Sequence, residues 1–150
     1  MIIISPWASK VNEDGSPNAK DFPYWPRLLK KIKEHVVQIG LSGEQQLTKD
    51  FKKDLTIGEI ENLVMECRTW ISVDTFLPHF CYPIGKPGIV IWSVSDPNIF
   101  GYAQNINLLK DRKYLRKEQF SFWKGVVRNP EAFVSPEVVY RALYPNKRKF

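Results

Sequence analysis

Cysteine and histidine are both scarce in this sequence, with two of each in 150 residues. Cys67 and Cys81 show no CxxC spacing, which leaves neither a disulfide framework nor a thiolate set for zinc. Their expected state is a pair of reduced, buried thiols in a cytoplasmic protein. His35 and His79 stand in no Ser-His-Asp order with motif context and pair with no thiol, so an independent hydrolase centre lacks support. The one pairing left open is Asp74 with His79 activating a water. Long apolar runs are missing too, since no stretch reaches the roughly 18 residues of a membrane helix. Met1 to Ile4 is too short, and too soon followed by Pro6, to read as a signal peptide. Neither a GxGxxG loop nor a Walker loop occurs, and no internal repeat or low-complexity linker is evident. Acid is absent from the last ten residues, where Arg141, Lys147, Arg148 and Lys149 gather part of a net charge of +6. Such a tail fits either a frayed terminus or a weak, salt-dependent contact with a polyanion. The aromatic residues do not alternate with Lys and Arg in a known nucleic-acid-binding pattern, so nucleic acid enters only through that tail.

What is present is a 43% apolar chain, enough to bury one sizeable core and to make residues 1–150 one expected domain. The stretch Ile71 to Tyr102 organises it: a strand ending at Asp74, a short helical turn carrying His79, a Gly-Lys-Pro turn, and a second strand from Gly88 to Trp92. Two continuously apolar strands around a short crossover suit a parallel sheet buried on both faces. Ile2 to Ile4, Val36 to Ile39 and Thr69 to Val73 read as further strands, with another short one around Ile106-Leu108-Leu109. Leu28, Leu29, Ile32 and Val36 recur at helical spacing and predict a helix ending near His35, itself a surface residue. Thr56 and Glu59 form a capping box before Ile60, Leu63, Val64 and Cys67, and Ser135-Pro136-Glu137 opens a final helix. Phe120, Phe122 and Trp123 supply an aromatic patch over the sheet. The cadence predicts an α/β domain with about four or five parallel strands and helices on both faces.

In such a sheet ligands bind beyond the carboxyl ends of the strands, where Asp74, Thr75, Ser93, Ser95 and Asp96 all fall. Gly40 to Glu44 follows another strand and reads either as an ordinary strand-to-helix turn or as a close backbone approach to a ligand.

Asp74-Thr75, His79, Gly85-Lys86-Pro87 and Ser95-Asp96-Pro97 resemble, in order and spacing, the signature of the C-terminal domain of ADP-heptose:lipopolysaccharide heptosyltransferases, within the GT-B superfamily of glycosyltransferases. Lys20-Asp21-Phe22-Pro23 resembles that family's Lys-x-Trp-Pro element, Gly40 to Glu44 its post-strand loop, and Asp54-Leu55-Thr56 the element before its next helix. The resemblance covers about Ile2 to Asn107, and the final helix is compatible with it. It implies a single Rossmann-like domain, one half of a GT-B enzyme, that holds a nucleotide-diphosphate-sugar donor. On that reading Lys20, Asp74, Thr75, His79, Ser95 and Asp96 lie at the donor and its diphosphate, and Ser42, Gly43 and Glu44 at the ribose or base. It implies no metal and no tightly bound cofactor, the nucleotide sugar being substrate or ligand. The sequence departs at Phe76, where the family usually has Gly, and His79 reads equally as a structural histidine. The family's acceptor-binding domain has no counterpart in the matched stretch, so catalytic residues stay unassigned. Transfer then calls for a separate acceptor-domain protein or a homodimer cleft. The other readings are a truncated enzyme, a nucleotide or nucleotide-sugar binder without activity, or a nucleic-acid or protein interaction module on the same fold.

Overall fold

β-Branched side chains favour extended backbone, and Ile2, Ile3 and Ile4 form a fully buried first strand, β1 (Ile2–Ser5). The computed structural model describes residues 1–8, 14–121 and 126–147. Phe122 and Trp123 of the expected aromatic patch, and Arg148 and Lys149 of the basic tail, lie outside these residues. Five more strands follow: β2 (Val36–Gly40), β3 (Asp50–Lys53), β4 (Thr69–Val73), β5 (Ile89–Ile91) and β6 (Ile106–Leu108). All pair in parallel in the order β3-β2-β1-β4-β5-β6, a Rossmann-like arrangement whose direction of winding reverses between β1 and β4.

Successive residues of a strand face opposite sides of a sheet, and the core divides accordingly. Ile2, Ile4, Ile71, Val73, Ile89 and Ile91 face α1 (Trp25–Leu29) and α5 (Pro136–Leu143) through Trp25, Leu28, Val139 and Leu143. Ile3, Val37, Ile39, Trp70, Val90 and Trp92 face α2 (Ile57–Glu66) and α3 (Phe76–Ile84) through Val64, Leu77 and Cys81. A one-turn helix, α4 (Pro97–Phe100), follows β5. The helices therefore cover both faces, as the sequence predicts. No helix among the described residues is long and apolar enough to cross a membrane.

The capping box is formed, with the Glu59 N–H donating to Thr56 Oγ1 (3.2 Å) and the Thr56 N–H to Glu59 Oε2 (2.8 Å). Gly85 ends α3 in the left-handed region (φ 73°), where a side chain is costly. Cys67 and Cys81 are free and buried, and burial pushes the Cys81 thiol up to about 12.

Three expectations need correction. The helix predicted to run to His35 begins only at Trp25, with Pro26 in its first turn, and stops at Leu29, where the Lys31 and Ile32 N–H groups bond three residues back and turn the chain toward β2. The turn carrying His79 is a full nine-residue helix, α3. The segment after Gly40 leads to no helix but to β3, an edge strand whose sequence Asp-Phe-Lys-Lys carries too little apolar character to be read as one.

Candidate functional site

A parallel sheet gathers sequence-distant carboxyl ends on one edge. Ser5 of β1, Gly40 of β2, and Thr75 and Phe76 after β4 line a cavity of about 130 Å³, closed by Trp7, Glu44, Leu55 and the α2 residue Ile60. It lies where the strand order reverses. Just before Thr75 in sequence, Asp74 meets the Lys20 ammonium at 2.9 Å, both side chains largely shielded from water. Ser93, at the end of β5, donates its hydroxyl to the Ala19 carbonyl (3.0 Å) and so ties the segment carrying Lys20 to the sheet.

Thr75 is the N-cap of α3, and its side chain accepts no capping hydrogen bond. The first-turn N–H groups of Phe76 and Leu77 have no partner within the helix, as at any helix start, while Pro78 carries no N–H. Phe76, 44% exposed, rises beside them and packs edge-on against Phe80, so it forms a wall rather than a lid.

A second, larger cleft of about 590 Å³ lies between the loop after β1 and the β2–β3 loop. Trp7, Ala8, Asp21, Ser42, Gly43, Glu44 and Arg128 line it. The fully buried Gln38 shapes one side: its Nε2 donates to the Gln45 carbonyl (2.9 Å) and its Oε1 accepts from the Leu47 N–H (2.7 Å). The Trp7 indole N–H also donates to the Gln45 carbonyl (2.9 Å), locking the ring against the loop. Glu44 folds back over Gly40, where an added Cβ would collide with its carboxylate. Burial raises the Glu44 pKa, with the Asp54 charge adding to the effect. Ser42 is tied to Asp54 through both its hydroxyl and its N–H, which lowers the Asp54 pKa.

The other expected residues lie elsewhere. His79 is on the exposed side of α3, with Nδ1 2.7 Å from the Tyr102 hydroxyl, and borders neither cavity. Asp96 is engaged on every side: it caps α4 through the Asn98 N–H and receives Arg112 at 3.1 and 2.6 Å, which draws its pKa down. Ser95 is buried, and its hydroxyl has no partner among the described residues.

No family model, curated protein or solved structure matches this chain. The geometry itself adds three residues to the site that sequence reasoning left out: Trp7, Asp21 and Arg128. Asp21 had one signal, its place beside Lys20. Arg128 had none, because it comes from a segment remote in sequence with no motif around it.

Proposed function

We propose that this chain is a nucleotide-diphosphate-sugar donor-binding domain of a glycosyltransferase. The observation that carries the reading is the Lys20–Asp74 pair immediately before the first turn of α3, with Glu44 in the cavity that Thr75 and Phe76 line at the reversal of the sheet. The partial positive charge of a helix N-terminus and its free N–H groups favour an anion. Lys20 has three donors, so it can keep Asp74 and still reach a phosphate oxygen. Asp74 then orients the ammonium rather than meeting the diphosphate itself. Glu44 supplies acceptors for ribose hydroxyls, and Phe76, Leu55 and Ile60 offer an apolar wall to the nucleoside. When the glycosidic bond of such a donor breaks, negative charge grows on the departing diphosphate, and Lys20 with the Phe76 and Leu77 N–H groups is arranged to stabilise it. Positioning of an acceptor belongs to a partner domain or subunit in this reading.

Titration calorimetry with ADP, UDP, GDP and their sugars tests it. Loss of a charge-assisted phosphate contact costs about 1.5–3 kcal/mol, so Lys20→Ala should weaken binding by about ten-fold or more while leaving the domain folded. Absence of sub-millimolar binding by any of these ligands, or indifference to Lys20→Ala, would refute the assignment.

A further inference from the structure

The edge of the sheet opposite the candidate site has a cavity of its own. It measures about 290 Å³ and lies at the amino ends of β4, β5 and β6, where the end of α5 closes it. Arg68 and Gln104 belong to its lining, and Ile89, Ile106, Ala142 and Leu143 give it an apolar wall. Gln104 borders this space, yet its Nε2 is cut off from solvent and has no hydrogen-bond partner among the described residues. The next residue repeats the defect. Asn105, 7% exposed, accepts the Gly88 N–H on Oδ1 at 3.1 Å, which fixes its amide and leaves Nδ2 without a partner among the described residues. Adjacent buried donors without acceptors are uncommon, because each forfeits its hydration and gains nothing in exchange.

The missing group is therefore an acceptor. A cation would face donors only, and a purely apolar occupant would leave the Gln104 amide as it stands. Charge decides among acceptors. Arg68 stands in the wall, and Glu34, which does not line the cavity, takes two of its five N–H groups. No Asp or Glu is among the described lining residues, so nothing in the wall opposes an anion there. Hydrogen bonds to a charged acceptor are about twice as strong as those to a neutral one, which favours a carboxylate over a carbonyl. The carbonyl end of α5 repels such a head and sets it toward Gln104, with the rest of the molecule against Ala142 and Leu143. That remainder is apolar, since a nucleotide or a sugar would press polar groups on Ile89 and Ile106. The last torsion of a glutamine side chain is soft, so the amide can turn to face the space it borders.

We propose that this cavity binds a small carboxylic acid with an apolar body, whose carboxylate accepts from the Gln104 amide. The site lies on the far edge of the sheet from the nucleotide and stands independently of the donor-binding reading.

The test is calorimetric titration and thermal melting of the full chain with isovalerate and benzoate, each beside its neutral amide, on the wild type and on Gln104→Met. Methionine keeps the length of the side chain and removes the donor. The expected result is saturable binding of at least one acid with a rise in melting temperature, its amide binding at least ten-fold more weakly, and Gln104→Met weakening the acid by about ten-fold. The unliganded Gln104→Met chain should melt no lower than the wild type, because the amide it loses has no bond to give up. Absence of binding by both acids, an amide binding as tightly as its acid, or acid binding indifferent to Gln104→Met overturns the proposal. A Gln104→Met chain that melts clearly lower would show that a bound water already serves the amide, and would overturn it as well.

Discussion

Asp21 is a residue whose burial works against the fold. Its carboxyl is raised from 3.8 to about 6, chiefly by desolvation. A raised acid contributes its full share to stability below its unfolded pKa and loses it as pH climbs through the folded value. Between about pH 4 and 7 the wild type should therefore lose, relative to Asp21→Asn, on the order of 2 kcal/mol. Paired urea melts across that range check this directly: the stability difference should grow in favour of asparagine as pH rises, and a difference flat with pH would contradict it.

Single elements carry the sheet through close contacts that leave no slack. Gly88 leads into β5, and a Cβ there would run into the Trp70 indole, whose N–H is held by the Lys86 carbonyl at 3.0 Å. Gly88→Ala should destabilise by about 1–3 kcal/mol, the usual cost of overpacking a core. A chemical denaturation midpoint indistinguishable from wild type would mean that Trp70 moves freely, against its complete burial. At this scale the sequence is largely legible where burial is two-sided: β1, β2, β4 and β5 announce themselves by runs rich in Ile, Val and Trp, broken only by polar Gln38 and Ser72 inside β2 and β4. Helix starts are equally plain, since Thr56 with Glu59, and Ser135 with Pro136, mark them in both sequence and structure, although the Ser135 side chain makes no capping bond. The pattern fails at β3, whose pairing with β2 is fixed by backbone bonds and by the loop that Gln38 pins, neither of which leaves a hydrophobic period. It also fails at α1, where Ile32 keeps its place in the core after the helix has ended.

Across the whole molecule, Glu34 links segments far apart in the chain. It receives Arg68 through two bonds (2.9 and 2.7 Å) and the Tyr144 hydroxyl (2.7 Å), tying the entry to β2, the entry to β4 and the end of α5. The Arg68 hydrogen bonds lead in drawing its pKa from 4.5 down to about 2. This stabilisation is present above the unfolded pKa and is lost as pH falls through the folded one. With solvent screening of so exposed an arginine, Glu34→Gln should cost on the order of 1 kcal/mol at pH 7. The cost should shrink toward pH 2; a constant penalty would show that shape, not charge, matters. The candidate site too is a whole-molecule property. The sequence pointed to Lys20, Asp74, Thr75 and Glu44 on one sheet edge; the fold pairs Lys20 with Asp74 and puts Thr75 and Glu44 on the wall of one cavity. It gave no sign that Asp96 is consumed by Arg112, or that Trp7, Asp21 and Arg128 meet, because such meetings depend on how the loops close. In the proposed function a nucleoside diphosphate lies across the first turn of α3 with its ribose toward Glu44. Amide chemical-shift mapping during titration with UDP and ADP tests this most directly. Saturable shifts concentrated at Thr75, Phe76, Leu77, Lys20 and Gly40 to Glu44 are the expected result. Saturable shifts confined to another surface, such as the basic end around Lys147 or the His79–Tyr102 side of α3, would contradict it.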